Sequence, residues 1–74
     1  MSIEQTILRE WIREALENAK EHKARRDQEP SNEYEGGAVI AYYEMLDSLQ
    51  NVMESFGLNL EEYGFNVDLD KDLL

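Results

Sequence analysis
The chain has 74 residues, a formal net charge of −10, 17 acidic against 7 basic side chains, and no cysteine. That length makes a single domain, marginal unless good helix packing or a second copy supports it, and the missing cysteines exclude a disulfide or a thiolate metal site. The acid excess disfavours direct contact with nucleic acid or an anionic membrane, and no apolar run approaches the length of a membrane span.

The start, Met1-Ser2-Ile3-Glu4, lacks the basic and apolar regions of a signal peptide, which together with the absence of cysteine points to a cytoplasmic protein. Ser2 and Gln5 form a Ser-x-x-Gln capping box. From there Leu8, Ile12, Ala15 and Ala19 recur at helical steps, Ile7, Trp11 and Leu16 widen the stripe, and His22 continues it. The opposite face is charged, with Arg13–Glu17 and Glu21–Arg25 at the i,i+4 spacing of helix ion pairs. The spacing predicts a first helix from about Ile3 to about Asp27.

Gln28-Glu29-Pro30-Ser31 breaks the helix, because proline disfavours helical geometry in the residue before it. Asn32 with Glu35 is a second capping pair, and the second helix is expected from about Glu33 to Phe56. Its main apolar stripe is Val39, Tyr42, Leu46, Leu49, Met53 and Phe56. A second stripe, Ala38, Ala41, Met45 and Val52, lies one residue over and is interrupted by Ser48. Two adjacent stripes on one helix are the pattern expected for contact with two neighbours. Gly36 and Gly37 each cost roughly 1 kcal/mol against alanine within a helix. In an antiparallel hairpin they would face the Ala19 end of the first helix and allow close approach there. Leu8, Trp11 and Ile12 would then meet Leu49, Met53 and Phe56 at the other end.

Gly57 is a C-cap glycine followed by the apolar Leu58. Asn59 and Glu62 form a further box, so a single helical turn is expected over 60–63, ended by Gly64. Residues 64–74 read as an extended tail whose Phe65, Val67 and Leu69 suit a hydrophobic groove. The fold class is therefore all-α: one domain over 1–74, an antiparallel two-helix hairpin with a short third helical turn and an extended tail, completed as a helical bundle by self-association.

Few residues carry chemistry. Asp68-x-Asp70-x-Asp72 has the spacing of half a calcium loop but lacks the glycine and the terminal glutamate that such a loop needs. Position 19, three before the only histidine, is alanine, so the Glu-x-x-His of a di-metal bundle is missing. No base–nucleophile set, phosphate-cradling glycine loop or cofactor fingerprint is present. The expectation is a non-enzymatic protein without metal or cofactor.

The segment from Tyr34 through Tyr63 resembles those of small helical proteins encoded by phages and other mobile elements, a likeness that names no family and implies no residue role. The leading functional expectation is an interaction module that forms a homodimer, a four-helix bundle, through Ala38, Ala41, Met45, Val52, Trp11 and Tyr43. The alternative is an acidic inhibitor or decoy, a nucleic-acid mimic that occupies a basic protein surface. Residues 1–29 hold seven acids and six bases, whereas residues 30–74 hold ten acids and one base, Lys71. Glu44, Asp47, Glu54, Glu61 and Glu62 are the candidates for that acidic face.

Overall fold
The computed structural model describes residues 2–74. Two long helices dominate it, α1 over Ile3–Gln28 and α2 over Glu33–Ser55, followed by a 3-10 turn over Leu60–Tyr63 and a short helix α3 over Leu69–Leu73. Among the described residues there is no strand, and no helix is long and apolar enough to cross a membrane.

Local chemistry fixes each boundary. Ser2 caps α1 in a complete capping box, its hydroxyl accepting from the Gln5 N–H while the Gln5 side chain accepts from the Ser2 N–H. The chain leaves α1 before Pro30, and Asn32 caps α2 by accepting from the Glu35 N–H. α2 ends in a Schellman motif. The Leu58 N–H reaches the Met53 carbonyl and the Gly57 N–H the Glu54 carbonyl, with Gly57 at φ +76°. The same arrangement closes the 3-10 turn, where Phe65 N–H bonds Leu60 O, Gly64 N–H bonds Glu61 O, and Gly64 sits at φ +73°. At both positions the left-handed conformation requires glycine.

α1 and α2 pack against each other as a hairpin, and the 3-10 turn and α3 each touch both helices. The arm formed by residues 57–74 thus folds back over one side of the hairpin. The core combines Ile12, Ala15, Leu16 and Ala19 of α1 with Val39, Leu46 and Met53 of α2 and Tyr63, Phe65, Leu69 and Leu73 of the arm. Phe65 is among the largest fully buried side chains. Polar bonds tie the arm down at three points. Gln5 Nε2 donates to the Tyr63 hydroxyl at 3.3 Å, Arg26 donates to the Leu73 carbonyl at 3.3 Å, and the Tyr43 hydroxyl donates to Asp70.

Three expectations need correction. The last residues are not an extended tail: Asp68 accepts from the Lys71 N–H and starts α3, which brings Leu69 and Leu73 into the core. Gly36 and Gly37 do not serve a close approach within the hairpin, since a Cβ at either would meet nothing within 4 Å. Phe56, placed on the main stripe, is 80% exposed, because α2 ends at Ser55 and Phe56 turns out with the cap.

Ala19 is fully buried between the helices, so Ala19→Leu should overpack and lower stability by about 1–3 kcal/mol. Phe65→Ala should cost about 3–5 kcal/mol, because it empties the space under the arm. Thermal and urea melts check both; an unchanged melt for Phe65→Ala would show that the arm does not contribute to the core.

Candidate functional site
The arm covers one side of a structure that has two. On the uncovered side, α1 and α2 present several exposed apolar side chains. Trp11, Glu14, Ala15 and Asn18 of α1 line a shallow groove with Tyr42 and Met45 of α2. Trp11 is 43% exposed, Met45 41% and Val52 51%. Ile7 extends the Trp11 flank one turn toward the N-terminus, and Phe56 lies beyond Val52; both are largely exposed. Ala41 is exposed and Ala38 half-buried. Five of the six self-association candidates, Trp11, Ala38, Ala41, Met45 and Val52, therefore fall on this one face.

Tyr43 does not. Its position on α2 turns it to the opposite flank, where it packs against the core beneath the arm and its hydroxyl donates to Asp70. The hydrogen bond to the Asp70 carboxylate, then burial, then the nearby charges of Asp70, Asp47 and Asp68 push the phenol up to about 12. All these influences favour the neutral phenol, a donor to a carboxylate. Tyr43 is thus a latch for the arm and not part of the open face.

The same flank gathers acid. Asp70 accepts from the Tyr43 hydroxyl, and the charges of Asp47 and Asp68 also act on it. Glu54, Glu61 and Asp68 line a shallow groove beside it with Gln50 and Leu58. Of the five acidic candidates, the structure brings Asp47, Glu54 and Glu61 onto this flank, joined by two aspartates of the arm. Glu44 and Glu62 are exposed but line no part of that groove. Among the described residues, no group of three or more histidine, cysteine, aspartate or glutamate side chains is placed to hold a metal ion.

The loop end of the hairpin holds a polar cluster that sequence spacing did not reveal. Glu35 is buried, and its two oxygens take separate partners: Oε2 lies 2.5 Å from His22 Nδ1 and Oε1 accepts from Arg25 Nε at 2.8 Å. With a carboxylate as partner, Nδ1 must carry the hydrogen, so the Arg25 guanidinium 3.2 Å from it cannot also donate to it. The His22 ring stands against Tyr42 and Tyr34, with centroids 5.6 and 6.2 Å away. Arg25 had an apparent partner in Glu21, four residues earlier, but reaches across the hairpin to Glu35 instead. Glu35 had an apparent role as the reciprocal half of a cap. Only its N–H serves that cap; the carboxylate crosses to α1. The signal available was His22 and Arg25 three apart on one helix edge, opposite a glutamate early in the next helix.

The comparisons with known proteins found no matching family model, no matching curated protein and no matching solved structure.

The His22 hydrogen bond, aided by Arg25, holds the Glu35 carboxyl below its ordinary value of 4.5 despite the burial that would raise it. A carboxylate with a lowered folded-state pKa adds stability that is complete above the unfolded-state value and is lost as pH falls through the folded-state value. Glu35→Gln should therefore lower the melting temperature at pH 7 and shrink the difference between the melts at pH 7 and pH 3. In the same way, Asp70→Asn should bring the Tyr43 phenol down from about 12 toward the ordinary tyrosine range, as read by ultraviolet titration.

Proposed function
We propose that the protein is a non-enzymatic interaction module whose working surface is the open face of the hairpin, and that this face pairs with a second copy of the chain to form a four-helix dimer. The observation that carries this reading is the cluster of Trp11, Met45 and Val52, each two-fifths or more exposed, on the one side the arm leaves bare. Large apolar patches are uncommon on monomers and mark interaction sites, and tryptophan and methionine are enriched in the buried centres of interfaces. Each copy carries −10, so association works against a repulsion that salt screens.

The acidic flank supports a second reading, a basic protein partner. The side chains of Asp47, Asp68 and Asp70 near Tyr43, with Glu54 and Glu61 beside them, form a field of one sign. Such a field speeds encounter with a basic surface and weakens as salt is added. The two readings use opposite sides of the molecule and respond to salt in opposite directions.

Light scattering at micromolar concentration should give about twice the chain mass of 8.7 kDa, with the dimer fraction rising as salt is added. Met45→Lys with Val52→Lys should yield a monomer of unchanged helicity. Those substitutions reduce the net negative charge, so added repulsion between copies could not explain the dissociation. A wild-type chain that stays monomeric throughout removes the reading. For the acidic flank, Glu54→Lys with Glu61→Lys should leave the dimer intact and slow association with any basic partner.

A further inference from the structure
We draw no further inference here: the strongest candidate, the shallow groove that Glu54, Glu61 and Asp68 line between the end of α2 and the arm, belongs to the acidic flank already described, and nothing in the structure shows what covers it.

Discussion

Two helices lying side by side have two faces, and this chain supplies a cover for only one. That constraint organises the molecule. The arm contributes Tyr63, Phe65, Leu69 and Leu73 to a core that the hairpin alone could not close. Without them, the inward sides of Ile12, Leu16, Val39 and Leu46 would have half a shell of neighbours, and a buried aliphatic side chain needs contacts all round to reach its full stabilisation. Covering one side leaves the other as it stands, with Trp11, Met45 and Val52 at the surface.

What holds the hairpin in register is polar and lies at the loop end. Glu35 is the one buried charged residue among those described, and it sits where His22 and Arg25 of α1 can reach it. A buried carboxylate is costly unless it is fully partnered. Sliding α2 by one turn against α1 would therefore strand Glu35, and the apolar contacts further along, being adaptable, would not penalise the slip as sharply. The partners of Glu35 are met only in this alignment, while Ile12 and Ala19 packing with Val39, Leu46 and Met53 supplies the non-directional attraction.

The features legible in the sequence were those encoded over three or four residues. The Ser2–Gln5 box, the break at Pro30, the Asn32 cap, Gly57 and Gly64 each act through neighbours in the chain, and each stands where local chemistry places it. The two stripes of α2 were likewise readable, because helical period alone separates Val39, Leu46 and Met53 from Met45 and Val52. What was not legible depends on distance along the chain. α3 is five residues long, too short for a period to show, and its Asp68 cap lay hidden in a run of alternating aspartates that resembled a cation loop. Tyr43 was known to be off the main stripe, but which flank it joined depended on where the arm returned. Glu35 had a plausible local role as a capping partner, and nothing within four residues could show that His22 and Arg25, across the loop, held its carboxylate.

The arm has a further consequence for proportion. Laid on one side of the hairpin, it broadens the molecule without shortening it, giving principal extents of 42, 21 and 15 Å and a radius of gyration of 13.2 Å. A compact chain of this length would have a radius of gyration near 11 Å, so the single copy is a thin slab, long for its mass. Laying a second slab against the bare face would double the thinnest dimension and scarcely change the longest. The radius of gyration would then rise only to about 15 Å, which is the value expected of a compact body with twice the residues. Paired as proposed, two such slabs would make an ordinary globule divided along its length.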